Sequence, residues 1–289
     1  MGTGSPVEFR ETLGAGDIGP ETILFIDRAS RQQAEMPALI QVMGESGRVV
    51  ILGDSLADLD LVELLRSRPM DHLISEGTPE EVELVVTSQK LLSGDIFGLE
   101  KYLAWGAATN EAEVSTYEEK RAALFAVGRA AESVGASRRV ATKIESAADE
   151  LLMNALYDAP AAASGVERRP KAGTIQPTVP LDESGKTALL RYACDGRHFA
   201  VSVLDRYGLL DKKRILDSVL RARNAQGRPV EVGQGGAGLG LYFVLSSVTR
   251  FIVNIDPKRL TEVICLFDLR ERGRDSEGWA RSLHIFTAG

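Results

Sequence analysis

The chain has 289 residues, of which 44% are hydrophobic and 26% charged, with a formal net charge of −7. This is the composition of an ordinary globular protein of one or two domains, and its acidity disfavours broad binding of a nucleic-acid backbone. The most basic run, Glu167–Lys171, is too short for a nucleic-acid patch. No apolar run reaches the roughly 18 residues that a membrane span needs, and the Gly-rich segment 1–20 lacks the apolar core of a signal peptide. The cytoplasm is therefore the expected compartment. Cys194 and Cys265 both fall in strand-like runs and make neither a disulfide framework nor a zinc site.

Residues 1–20 read as a flexible tail. Strand patterns at Thr22–Asp27, Arg48–Asp54 and Asp71–Gly77 then alternate with helical patterns at Arg31–Met43, Leu56–Ser67 and Pro79–Leu92. That alternation predicts a small α/β unit over 21–110, with a parallel sheet covered on both faces. Its order resembles the second half of a response-regulator receiver domain. Asp27 ends a strand, where a phospho-acceptor aspartate would sit. However, no acidic pair on an earlier strand is available for magnesium, and Ser75 and Glu76 stand where a receiver has lysine. The unit is expected to be a degenerate receiver that serves as a docking or homodimerisation platform.

Gly94–Gly106 bridges onward, with a helical pattern. A second unit follows over 111–289. A helix is predicted over Tyr117–Ser133 and breaks at Gly135–Ser137. Ser137 caps a long helix from Arg138 to Asp158, which Pro160 ends. A Pro-, Ala- and Gly-rich loop occupies 159–186. Two strand runs, Thr187–Cys194 and His198–Asp205, are joined by an Asp-Gly turn and read as a hairpin. Arg250–Asp256 and Thr261–Arg270 form a second pair. Strands grouped in hairpins predict an α+β fold, a two-layer sandwich of a mostly antiparallel sheet with helices on one face.

Three groups of residues carry candidate chemistry. Glu150, Asn154 and Asp158 recur at four-residue spacing on one helix face, with Leu151, Leu152, Ala155 and Leu156 opposite. A solvated stripe on an amphipathic helix would explain them, but asparagine is a poor choice inside a helix. An asparagine carbonyl suits magnesium, which draws its other ligands from phosphates and waters. A glutamate one turn earlier can orient or deprotonate an attacking hydroxyl or water. Asp205 ends a strand, with Gly208 soon after. A carboxylate there can accept a hydrogen bond from an exocyclic amine such as that of adenine, and the glycine admits a planar base; a plain turn explains them equally well.

The third group is GQGGAGLGLYFVLSS, Gly233–Ser247. Gly233, Gly235 and Gly238 spell the G-x-G-x-x-G of a dinucleotide site, with Asp256 near the place of a ribose-binding acid. Gly236, Gly238 and Gly240 instead alternate, and glycine lets backbone N–H groups face phosphate ahead of a helix N-terminus. The strand before the loop is short and contains Pro229, and the flanking hairpins supply no βαβ unit, which weighs against an oxidoreductase. No Gly-Lys-Ser/Thr follows, so a Walker-type P-loop is excluded.

Taken in this order, the motifs resemble the ATPase domain of the GHKL superfamily, shared by gyrase, heat-shock chaperones, histidine kinases and MutL. The nearest likeness is to anti-sigma-factor serine kinases, and it covers roughly Glu113–Leu269. The resemblance implies a Bergerat-type fold and Mg-ATP. Glu150 would be the catalytic base and Asn154 the magnesium ligand, with Glu150 acting on the metal through water. Asp205 would read adenine, with Thr261 nearby. Asp158, Gly208, Gly236, Gly238, Leu239 and Gly240 would complete the nucleotide site. It also implies bacterial signal transduction, with phosphoryl transfer to serine or threonine of a protein partner, or to water. Two departures qualify it. Asp205 and Gly208 are one residue further apart than the family's D-x-G. None of His72, His198 and His284 lies on a helical pair before Glu150, so autophosphorylation on histidine is not expected. A non-catalytic, ATP-gated interaction module is the alternative.

Overall fold

The computed structural model describes residues 22–31, 40, 41, 43, 48–75, 81–165, 187–224, 239–270 and 280–289. Three short strands, β1 (Leu24–Asp27), β2 (Val49–Leu52) and β3 (His72–Ile74), pair in parallel as the alternation predicts. Helix α1 (Leu59–Ser67) starts where Asp58 accepts the N–H groups of Asp60 and Leu61, and it buries Leu61, Val62 and Leu65. Helix α2 (Glu81–Ser93) follows. The helical patterns at 32–39 and Pro79 lie outside the described residues. The helix expected over 94–106 is reduced to one 3₁₀ turn, Leu99–Tyr102. Gly94, Gly98 and Gly106 all take positive φ there, which an α-helix does not allow.

The second unit opens with β4 (Thr109–Val114), whose charged sequence hid it from pattern reading. Helix α3 (Tyr117–Ser133) begins with a reciprocal capping box between Thr116 and Glu119, and α4 (Arg138–Met153) begins at Ser137, as expected. Buried Lys120 ion-pairs with Asp149 and ties the two helices together. After α5 (Ala159–Ser164) come β5 (Ala188–Cys194) and β6 (His198–Asp205), the predicted hairpin. Helices α6 (Lys212–Asn224) and α7 (Leu239–Leu245) precede the second hairpin, β7 (Arg250–Asp256) and β8 (Leu260–Asp268), and the last strand, β9 (Ser282–Thr287).

The nine strands of the described residues form one mixed sheet in the order β1-β2-β3-β9-β7-β8-β6-β5-β4. The two units read from sequence therefore share a sheet. Strand β9 pairs antiparallel with β3, Leu283 opposite Leu73, and parallel with β7. Helices α3, α4, α6 and α7 of the C-terminal unit share one face of the sheet, and the other face is covered from the N-terminal unit. Helices α1, α3, α4, α6 and α7 cover one face, over Phe199, Val201, Phe251, Val253 and Cys265. On the other face Val86 of α2 and Leu99 of the 3₁₀ turn pack against Ala200, Ile252, Ile264 and Phe286. The central strands are apolar on both faces, so a single layer of helices would leave one face exposed.

A buried polar network lies under α2. Lys90 is 1% exposed, and its Nζ donates to Tyr102 Oη and Asn254 Oδ1, each at 2.8 Å. Asn254 Nδ2 donates to Glu262 Oε2 at 2.9 Å, which also accepts the Gly98 N–H at 2.8 Å. Phe286 lies 3.9 Å beneath the ammonium. Beside it, Glu83 pairs with Arg250 at 3.1 Å and meets His284 at 3.2 Å, and His284 Nδ1 lies 3.3 Å from His72 Nδ1. Burial raises the Glu83 carboxyl, but the His284 hydrogen bond and the His284 and Arg250 charges outweigh it and hold it below its ordinary value.

Burial pushes the Lys90 ammonium down to about 7, against the pull of Glu262 and Asp95 and with the push of Lys101. In the unfolded chain the lysine keeps its proton to about pH 10. Between these values the unfolded state binds more protons, so stability rises with pH. Above about pH 8 the opposite sign enters, because burial raises the Cys265 thiol and the Tyr102 hydroxyl and the folded state retains protons that the unfolded chain gives up, cysteine first. Denaturant unfolding of the wild type is expected to show stability rising from pH 7 to 8 by up to about 1.4 kcal/mol. Lys90→Gln should flatten that rise.

Candidate functional site

Helix α4 does not run regularly to Asp158. After Met153 the chain makes one π turn, Asn154–Asp158, before α5. The Asn154 N–H is shared between the carbonyls of Glu150 and Leu151, and the Ala159 N–H reaches back to the Asn154 carbonyl. Such wide turns gather at functional sites. Leu151 and Ala155, expected opposite Asn154 and Asp158, border the same cleft as those two and Ala159; residues 151, 154, 155 and 158 follow the i, i+3, i+4, i+7 spacing that puts them on one helix face. Pro160 does not end the helix. It lies in the first turn of α5, where its missing N–H does not matter, and helix continues to Ser164 before Gly165 turns left-handed.

To this cleft the sheet contributes Val203 and Asp205 from β6 and Val263 from β8; Leu209, Leu210 and Arg214 come from the segment after β6, and Leu241 from α7. Asp205 is 9% exposed, and its Oδ1 accepts the N–H groups of Tyr207 at 2.8 Å and Gly208 at 3.3 Å. This is the local turn that a strand-end aspartate favours. In the β6–β8 register Asp205 stands directly opposite Thr261. Thr261 is 1% exposed and its Oγ1 has no hydrogen-bond partner among the described residues. A buried hydroxyl without a partner costs stability unless something supplies one.

The glycines serve the site in different ways. Gly208 has φ +62°, and a Cβ there would overlap the Asp256 carbonyl and the backbone nitrogens of Lys258 and Arg259. The Lys258 N–H donates to the Gly208 carbonyl at 3.0 Å. The bare Cα thus admits the β7–β8 turn, not a planar base as the sequence reading proposed. Gly240, in the first turn of α7, faces α4. A Cβ there would overlap the carboxylate of half-buried Glu150. The glycine segment and the candidate base, 90 residues apart in numbering, meet at that point. Gly236, Gly238 and the side chain of Leu239 lie outside the described residues; Leu239 itself opens α7.

One charged residue of the cleft escaped the sequence reading. Arg214, in the first turn of α6, donates from Nη2 to Asp158 Oδ2 at 3.2 Å. A signal was present: Lys212, Lys213 and Arg214 place three cations in a helix's first turn, against its dipole. Cations so placed break a local rule, and such breaks mark functional or strained sites. None of the histidines lines the cleft. Asp256, the ribose-binding candidate of the dinucleotide reading, pairs with Arg259 of its own turn at 3.2 Å. Among the described residues no group of three or more His, Cys, Asp or Glu could hold a metal. No helix of the described residues is long and apolar enough to cross a membrane.

No protein-family model matches this chain, and a search of curated proteins returns no significant match.

Gly208→Ala combines a left-handed backbone with an overlap against backbone atoms, and should destabilise the protein by about 2 kcal/mol or more. Gly240→Ala should cost less, because the Glu150 side chain can swing aside. Midpoints of denaturant unfolding measure both.

Proposed function

We propose that the cleft binds Mg-ATP. The observation that carries this reading is the convergence of separately read motifs. Asp205 and Asn154 border one cleft, Thr261 faces Asp205 across the strand pair, and Gly240 abuts Glu150. The unpartnered Thr261 hydroxyl beside the Asp205 carboxylate suits a base edge that both donates and accepts hydrogen bonds. Asp205 Oδ1 holds the turn, and a carboxylate, with about four lone-pair sites, can accept from an exocyclic amine as well.

The donor set also fits magnesium. Asn154 offers an amide oxygen, and Glu150 one turn earlier could bind through water; a hard cation with few protein ligands matches this pattern. Bound magnesium would neutralise charge on the transferring phosphoryl group. Glu150 would take the proton of the attacking hydroxyl or water. The chemistry fits a signalling ATPase, or a kinase that phosphorylates serine or threonine of a partner protein.

The alternative is a nucleotide-gated interaction module without turnover. One observation favours it specifically. Helix α6, which carries Arg214 into the cleft, is ion-paired to the N-terminal unit through Lys212–Asp71 and Arg66–Asp217. A ligand that moves α6 would strain those pairs.

Calorimetric titration of the full chain is expected to show Mg-ATP binding. Asp205→Asn keeps the turn acceptor but replaces the carboxylate, and should weaken binding about tenfold, or 1.4 kcal/mol. Unchanged binding in that variant would overturn the reading. Glu150→Gln should bind ATP and lose phosphate release. Wild-type binding without phosphate release or partner labelling identifies the gated module.

A further inference from the structure

Arg214 is the only cation among the described residues that line the cleft, and the other charged groups there are Asp158 and Asp205. Without it, a polyanionic ligand would face two carboxylates and no positive charge from those residues. Its side chain is 35% exposed while that of Asp158 is 11% exposed, so the guanidinium holds the wetter end of the pair. The hydrogen bond to Asp158 uses one of the five N–H donors of the guanidinium, whose planar fork matches phosphate oxygens.

The arginine is also held in place. Asp211 Oδ1 accepts the Arg214 N–H at 2.7 Å and fixes the first turn of α6. Lys212 Nζ binds Asp71 Oδ1 at 2.6 Å and the Arg68 carbonyl at 2.7 Å, and Arg66 pairs with Asp217 further along the helix. These bonds anchor α6 to the N-terminal unit and leave Arg214 directed at the cleft. Two of the three first-turn cations thus have carboxylate partners: Asp71 answers Lys212 for anchoring, and Asp158 answers Arg214 inside the cleft.

We propose that Arg214 reads the phosphates of a nucleoside polyphosphate in this cleft, and that Asp158 is its resting counter-ion, exchanged for a phosphate oxygen when the ligand enters. The proposal rests on the nucleotide reading above. It gives Asp158 a different part from the one expected of it: Asp158 is a positioning residue that acts through Arg214, not a group that touches the nucleotide.

The test is binding of Mg-ATP and of adenosine to the full chain, with adenosine measured by competition against a fluorescent ATP analogue. Arg214→Gln should weaken Mg-ATP about tenfold or more while leaving adenosine within about twofold. Arg214→Lys keeps the charge but loses the fork, and should fall between. Asp158→Asn removes the competing carboxylate and should leave Mg-ATP binding equal or a few-fold tighter. Thermal melts matched to wild type establish that the variants are folded. Unchanged Mg-ATP affinity in Arg214→Gln, or equal losses for ATP and adenosine, overturns the role of Arg214. An Asp158→Asn loss as large as that of Arg214→Gln overturns the counter-ion role. If the wild type fails to bind Mg-ATP, the nucleotide reading falls and this proposal with it.

Discussion

The seam at β9 is the constraint on which the rest of the molecule depends. That strand lies between β3 of the N-terminal unit and β7 of the C-terminal one, and pairs with both. Its His284 is fully buried and meets His72 from β3 and Glu83 from α2, while Glu83 reaches Arg250 on β7. Lys90 of α2 likewise finds Asn254 on β7, which in turn holds Glu262 on β8. Buried charges without partners are costly. Each side of the seam supplies the groups that satisfy the other, so the two units stabilise one another.

That mutual dependence extends to the cleft. Glu262, which receives the network from α2, is the neighbour in β8 of Thr261, which faces Asp205. On the opposite face of the sheet, α6 is bound to the N-terminal unit by Lys212–Asp71 and Arg66–Asp217. The N-terminal unit therefore reaches elements of the candidate site from both faces of the sheet: at Glu262 of β8, next to Thr261, and at the helix that carries Arg214. A docking event on the N-terminal unit and a ligand in the cleft would act on shared elements, which is the physical requirement for coupling between two sites.

Local features of the sequence translated well where short-range chemistry decides the outcome. Ser137 and Thr116 cap their helices, the Asp-Gly turn closes the β5–β6 hairpin, and the apolar runs form strands. Asp205 and Asn154 come to one cleft from motifs read separately. The failures also have causes. Strand β4 is mostly charged or polar because it is the edge of the sheet, next to β5 alone. The segment 94–106 carries apolar residues at helical density, yet its glycines at positive φ leave one 3₁₀ turn. Gly208 was read as making room for a ligand, but it makes room for a neighbouring turn of backbone.

The sequence by itself determined most of the elements with their caps and turns, because these depend on interactions a few residues apart. Three features were decided only by the tertiary structure. The joining of two strand sets into one sheet depends on β9 finding β3 more than 200 positions earlier, a pairing that neither run specifies alone. The π turn over Asn154–Asp158 interrupts a run that spacing alone reads as one regular helix. The Asp158–Arg214 pair exists because α6 is anchored from outside, by charges on α1 and beside β3, at a distance no local pattern spans.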